Sequence, residues 1–298
     1  LGKQRLVVVK HGEPFKIGHM EVELIKTCHS IPDASAVAIH TPLGVIFHTG
    51  DFKFDQTPVD GTTTDFQRIA EISAKGVLLM MSDSTNATRP GFSMSESSIG
   101  ETFDKLFPHI QGRIIIATFA SNVHRLQQVL NAAHANKRKV VITGRSMVNT
   151  INVASEFGYI SVPPNTLIEM DEMRQYPDDR LVILCTGSQA SRWRRFRAWH
   201  ERTPPGAHWP WGHGHFFCEP IPGNEKLISK VIDMLFKLGA NVIDNTDQRV
   251  HVSGHAAREE LKMMLNLVKP KYFMPVHGEY RMLLSHANLA KEVGIPPE

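Results

Sequence analysis

Cysteine is scarce. The 298 residues hold three, Cys28, Cys185 and Cys218, and their spacing matches no disulfide framework, so a reducing cytoplasm is expected rather than secretion. Long apolar runs are missing too. None reaches the roughly 18 residues that a membrane helix needs, no signal peptide opens the chain, and no membrane partner is expected. Charge of one sign is not in excess: 33 Lys and Arg stand against 30 Asp and Glu, a formal net charge of +3. Tryptophan is absent from all but one short block. What remains is ordinary globular composition, 42% hydrophobic and 21% charged, in a chain long enough for a large core and two lobes. Histidine is the exception. Sixteen of them turn attention to metal binding.

The stretch from Thr27 to Asp55 organises the rest. Ala36 to Ile39 and Val45 to Phe47 read as two short apolar strands joined by a turn at Pro42, Leu43 and Gly44. His29 precedes the first strand and Asp51 follows the second, so a hairpin brings an imidazole and a carboxylate to one end of a sheet. Gly50 lets the backbone turn so that Asp51 can enter a shared cleft. Imidazole nitrogen and carboxylate oxygen are ligands that a divalent ion such as zinc accepts. The plainer reading, two residues capping strand ends, stays open at this point.

Residues 15 to 27 alternate apolar and polar, as a half-buried strand does, and Arg5 to Val9 is strand-like. Phe66 to Ile72 reads as an amphipathic helix. Gly76 to Met81 is a buried strand ending at Ser82-Asp83-Ser84-Thr85-Asn86, where Asp83 suits either a site or an Asx turn. From Ser95 the pattern becomes strand and helix in turn: strands at 113–119, 139–143 and 180–185, with a helix carrying Leu126, Val129 and Leu130. Such alternation implies a parallel sheet covered on both faces. In these sheets ligands bind beyond the carboxyl ends of the strands. Ser121, Asn122, His124, Arg125 and Arg145 follow strands and are candidates for gripping a phosphate backbone, although helix capping accounts for part of the pattern.

Leu227 to Phe236 has helical spacing, and Gly239 to Ile243 starts a strand. His251-Val252-Ser253-Gly254-His255 precedes a clear amphipathic helix from Ala256. A Ser-Gly-His turn at a helix N-terminus presents backbone N–H groups to an anion; a helix-capping histidine is the simpler alternative. Lys271 to Val276 is a strand that ends at His277 beside a glycine. On its own such a histidine is more often structural.

Taken together, C-H-S-I-P-D-A at 28–34 and H-T-G-D-F-K-F-D at 48–55 resemble the third and fourth metal motifs of the metallo-β-lactamase superfamily, in the wording of its β-CASP nucleases and of bacterial ribonuclease J. The resemblance implies an α/β fold: part of a metallo-β-lactamase αββα sandwich (1–95 and 246–298) with an inserted β-CASP parallel-sheet lobe (96–245). It makes His29 and His277 zinc ligands and Asp51 the bridge between two zinc ions. Asp83 becomes the acidic residue of the first β-CASP motif, catalytic and near the metals. His255 approaches the scissile phosphate, to stabilise charge or protonate the leaving group, with His251, Val252, Ser253 and Gly254 lining the substrate. The implied activity is a zinc-dependent ribonuclease for RNA processing and decay, 5′-to-3′ exonucleolytic with endonuclease cleavage as a second mode. Its nucleophile would be a hydroxide held between the metals. Implied partners are RNA, copies of the chain in a dimer or tetramer, and an RNA-degradation complex.

The family also carries H-x-H-x-D-H upstream, with four more zinc ligands, and no such motif occurs here. The expectation is therefore an N-terminally incomplete chain with an incomplete two-zinc site and no nuclease activity of its own. Three rival readings compete: a non-catalytic RNA-binding scaffold, another β-CASP RNA-processing factor, and a small-molecule metallo-hydrolase. The β-CASP lobe and S-G-H-A turn disfavour the last.

Residues 190 to 218 depart from everything around them. They hold all four tryptophans, five arginines and four histidines. An RNA-binding insert would use such residues for stacking and phosphate contact. The block reads better as a translation out of frame. Ala190 to Arg195 back-translates, with one restored base, to G-E-P-M-A-A, and Trp211 to Pro220 shifts to G-D-T-V-I-F-S-A-S-P, both wordings of the family. The block should then fail to supply the strand expected there. Without it, 28 basic residues face 29 acidic ones, a net of −1, so the overall positive charge is no argument for nucleic acid.

Overall fold

The computed structural model describes residues 7–186, 215–217, 233, 236–237, 241–243 and 251–297. They fall into two compact units, residues 1–95 with 253–298, and residues 96–252.

The first unit is built on a six-stranded mixed sheet of order β1-β2-β3-β4-β5-β12. Its strands are β1 (Phe15–Ile17), β2 (Met20–Lys26), β3 (Ser35–Thr41), β4 (Gly44–His48), β5 (Val77–Asp83) and β12 (Tyr272–Val276). The alternating run 15–27, expected as one strand, is a hairpin: Gly18 at φ +61 makes the turn that splits it. Arg5 to Val9 forms no strand among its described residues, where Val7 and Val8 are exposed. With no neighbour to pair, strand-like residues alone do not make a strand. The expected hairpin is present, with Thr41 facing Gly44.

Period-2 alternation then decides what each face meets. Glu23, Ala38, Phe47, Met80 and Phe273 are register partners on one face. Ala38, Phe47 and Met80 are fully buried there, in a core shared with Ile69 and Ile72 of α1 (Phe66–Ala74), Leu261, Met264 and Val268 of α5 (Arg258–Val268), and Leu289 of α6 (Tyr280–Glu292). On the other face Val22, Ile39, Ile46, Leu79 and Tyr272 form one row and Leu24, Val37, His48, Met81 and Met274 the next. Of these ten, Val22 alone is buried. One helix layer on one sheet face is the α/β half of an αββα sandwich.

The second unit is an all-parallel sheet, order β11-β10-β6-β9-β7-β8. It contains β6 (Ile114–Thr118), β7 (Lys139–Thr143), β8 (Leu167–Ile168), β9 (Leu181–Thr186), β10 (His215–Phe217) and β11 (Asn241–Ile243). Here alternate residues enter two different cores. Ile114, Ile116, Val182 and Leu184 pack with α2 (Ser97–Leu106), α3 (Val123–Ala135) and α4 (Arg145–Glu156), whereas Ile115, Ala117, Ile183 and Cys185 pack with Val141 and Met173. Burial on both faces is why these strands are continuous apolar runs.

Three findings differ from expectation here. The two-residue β8 was not foreseen, being too short to leave a pattern. His215 to Phe217, inside the aberrant block, does form a strand, parallel to β6 and β11. Parallel pairing uses backbone groups that any residue but proline supplies, so this much of the expected strand survives the foreign wording. The rest of the block, and the expected helix at 227–236 in large part, lie outside the described residues. The second unit also runs to Val252 rather than ending at 245.

Candidate metal centre

In the first unit the ends of β4, β5 and β12 and the turn before α5 converge. Asp51, Asp83, His255 and His277 each offer one ligand atom, all within 4.8 Å of one another. His29 joins them, its Nε2 3.8 Å from Asp51 Oδ2, and His277 Nδ1 lies 3.3 Å from Asp51 Oδ1. Four-coordinate zinc with bonds of about 2.1 Å sets its ligand atoms about 3.4 Å apart. Asp51 approaches that spacing from His277 through one carboxylate oxygen and from His29 through the other, and their nitrogen and oxygen donors suit a divalent ion.

Local backbone chemistry aims each group. Gly50 is at φ +61, and a Cβ there would run into the Ser35 carbonyl oxygen, so only glycine allows the turn that presents Asp51. His29 donates its Nδ1–H to the Gly254 carbonyl at 2.7 Å. That leaves Nε2 for an ion, the usual arrangement of a metal-ligating histidine. Gly254 also leaves no room for a side chain without displacing His29: a Cβ there would sit 2.7 Å from the His29 ring. His277 takes φ +52, a left-handed conformation costly for a residue with a side chain.

Asp83 behaves differently from Asp51. It is 2% exposed, and its Oδ1 accepts from Thr85 N and Thr85 Oγ1 and lies 3.1 Å from His277 Nδ1. Its Oδ2 accepts from His255 Nδ1 at 2.7 Å. Burial pushes the Asp83 carboxyl up, but the hydrogen bond and charge of His255, with the Thr85 donors, hold it well below the usual carboxylate range. Burial likewise opposes protonation of His255, and the Asp83 bond reverses this and raises it. His29 goes the other way, lowered by burial more than Gly254 and the carboxylates restore. Asp83 therefore orients His255 and stands beside His277, while Asp51 is left half-exposed.

Two family models match the chain: the ribonuclease J β-CASP domain over residues 111–235 and the Zn-dependent metallo-hydrolase RNA specificity domain over 245–298. Ribonuclease J of Synechocystis is 44% identical over all of this chain and 47% of its own length. Ribonuclease J 1 of Streptococcus pyogenes is 44% identical over 97% of the chain and 52% of its own length. The chain belongs to the ribonuclease J family.

It spans about half the length of these curated ribonuclease J relatives. A solved structure from Enterococcus faecalis, titled as a protein of unknown function, shares the fold at TM-score 0.65 and 18% identity, covering 93% of this chain and 62% of its own. The metallo-hydrolase model and the donor cluster agree on a metal.

Not every expected RNA-contacting residue of this ribonuclease J family chain faces outward. Ser121 and Arg145 are exposed and His124 half-buried, at the carboxyl ends of β6 and β7. Asn122 is buried instead, its side chain capping α3 by accepting from Arg125 N. Arg125 is 2% exposed; it grips the Glu96 carboxylate through two nitrogens at 2.8 and 2.9 Å and reaches His251 Nδ1. Desolvated guanidinium needs such a partner, which corrects the expectation that it would hold phosphate. Val252 is a core residue, not a lining one. His251 and Val252 belong to the second unit, and Ser253, Gly254 and His255 to the first.

Two supporting residues left little signal. Asn86 donates to Ser253 Oγ and to the His255 carbonyl. Glu260, fully buried, accepts from the backbone N–H groups of Phe54, Ser93 and Ala257. A glutamate three residues beyond the start of an apolar helix is a capping pattern, and that was the legible hint.

Proposed function

We propose that the chain carries the metal-facing half of a zinc-dependent ribonuclease centre, and that it holds one divalent ion. The observation that supports this most is Asp51 standing 3.3 Å from His277 and 3.8 Å from His29 beside the Asp83–His255 pair. When bound, the ion supplies Lewis acidity at a phosphoryl oxygen and eases deprotonation of water. In this reading Asp51, His29 and His277 hold it. Asp83 fixes the His255 ring through Nδ1, so that Nε2 is the atom left to meet the scissile phosphate or the leaving oxygen. Exposed Arg145 and Ser121 bind RNA phosphates. The substrate class follows the relatives' name; the 5′-to-3′ exonuclease mode, endonuclease cleavage and a dimer or tetramer come from the family resemblance and are further parts of the same proposal.

The direct test is zinc stoichiometry by calorimetry. The 298-residue chain should take up one zinc, and Asp51→Ala should abolish uptake. Gly254→Ala, by displacing His29, should weaken binding about 10- to 100-fold, the range for lost support of a ligand. Two ions per chain would contradict the one-metal reading, and none, with RNA still bound, would favour a non-catalytic scaffold. Turnover of 5′-monophosphorylated RNA is expected from a chimera in which this chain replaces the matching half of the Synechocystis enzyme. His255→Ala should remove it, and should find no activity to remove in the chain alone.

A further inference from the structure

Two consecutive residues of α6 reach the loop after β5. Ser285 donates to the Ala87 carbonyl at 3.0 Å, and His286 Nδ1 lies 3.0 Å from Ser84 Oγ. His286 and Ser84 are both fully buried. The His286 ring packs edge-on against Phe273, centroids 4.7 Å apart, and its Nε2 has no hydrogen-bond partner among the described residues. Burial pushes this imidazole down to about 4, so it stays neutral. A buried polar nitrogen without a partner costs free energy, and leucine would fill the space without that cost. The ring's contribution is therefore to be sought in its one bond.

That bond lands on a junction. Ser84 follows Asp83 directly, its backbone N–H donates to the His277 carbonyl at 3.1 Å, and its hydroxyl also reaches the Ser82 carbonyl. Ser84 thus ties the end of β5 to the end of β12, between a carboxylate and a histidine of the centre. His277 meanwhile holds a left-handed backbone that neighbouring contacts must enforce. We infer that His286 is a positioning residue, whose bond to Ser84 locks the β5–β12 junction and so sets the spacing of Asp83 and His277 for a metal ion. The inference rests on the metal reading above.

Three substitutions separate this bond from packing. His286→Asn places an amide where Nδ1 stood, His286→Gln places it where Nε2 stood, and His286→Leu keeps bulk alone. Zinc affinity is read by competition with a chromogenic chelator and folding by thermal midpoint. The Asn variant should bind within about threefold of the parent. The Gln and Leu variants should bind about tenfold more weakly, the lower end of outer-shell effects, with the Leu variant no less heat-stable. Ser84→Ala should match His286→Leu, and combining them should add nothing. Unchanged affinity in the Leu variant, or losses that track thermal midpoints across the set, would overturn the inference. A parent chain that takes up no zinc would instead sink the metal reading.

Discussion

The two sheets solve burial in opposite ways. In the parallel sheet both faces are dry: Leu181 to Cys185 sends alternate side chains into two separate cores. In the mixed sheet one face is covered by helices, and the rows headed by Val22 and Leu24 stay largely part-exposed. Buried charges occur in both units, and the parallel lobe holds Glu96, Arg125 and Arg138. Glu23, Lys53, Asp55, Asp83, Glu260 and His286 are all buried in the unit of the mixed sheet, and several of them knit the loops that carry the metal-facing side chains. The lesson is that the parallel lobe packs apolar side chains on both sheet faces, while the mixed sheet does so on one and adds hydrogen bonds from buried polar groups that shape the loops of the site.

The largest expected effect sharpens that contrast. Leu184→Ala, in a fully buried parallel strand, should cost about 4 kcal/mol in urea unfolding, the range for large-to-small core changes. Ile46→Ala, on the part-exposed face of the mixed sheet, should cost about 1 kcal/mol, because less surface is transferred to water. Equal losses would erase the distinction. Next comes acid. The His286 pKa lies at about 4 in the folded chain against an ordinary 6.5. Between those values the unfolded chain takes up a proton that the native ring refuses. Stability is therefore whole above about pH 6.5, falls as pH drops toward 4, and levels off having lost about 3 kcal/mol at most. His286→Leu should flatten that segment of a denaturation-versus-pH curve; an unchanged slope would assign the acid sensitivity elsewhere. Between the leucine and isoleucine losses in size is that of Glu260→Gln. It leaves one of three backbone N–H groups without an acceptor, for about 2 kcal/mol. A neutral outcome would show that those loops do not depend on a buried carboxylate.

Much of the parallel lobe was legible because continuous apolar strands alternating with amphipathic helices admit few arrangements. The hairpin around Pro42 was legible for the same reason, as was the need for glycine at 50. The strand at 15–27 was misread because alternation persists through a tight turn, and Gly18 was the only mark of the break. Arg125 was misread because a position after a strand says nothing about which way a side chain turns; Glu96, 29 residues earlier, decided it. Asn86, Ser84 and His286 carried no local pattern at all, since their partners lie more than 160 residues away.

What the sequence determined by itself was therefore periodicity and composition: which stretches become strands or helices, which turns demand glycine, and which histidines and carboxylates stand at strand ends. Those properties depend on neighbours a few residues apart. Only the tertiary structure decided that Asp51 stays open while Asp83 is bound by its neighbours, that His29 rests on Gly254, and that His286 supports the junction beneath them. Such roles arise where distant segments meet, in distances and burial that local pattern does not encode.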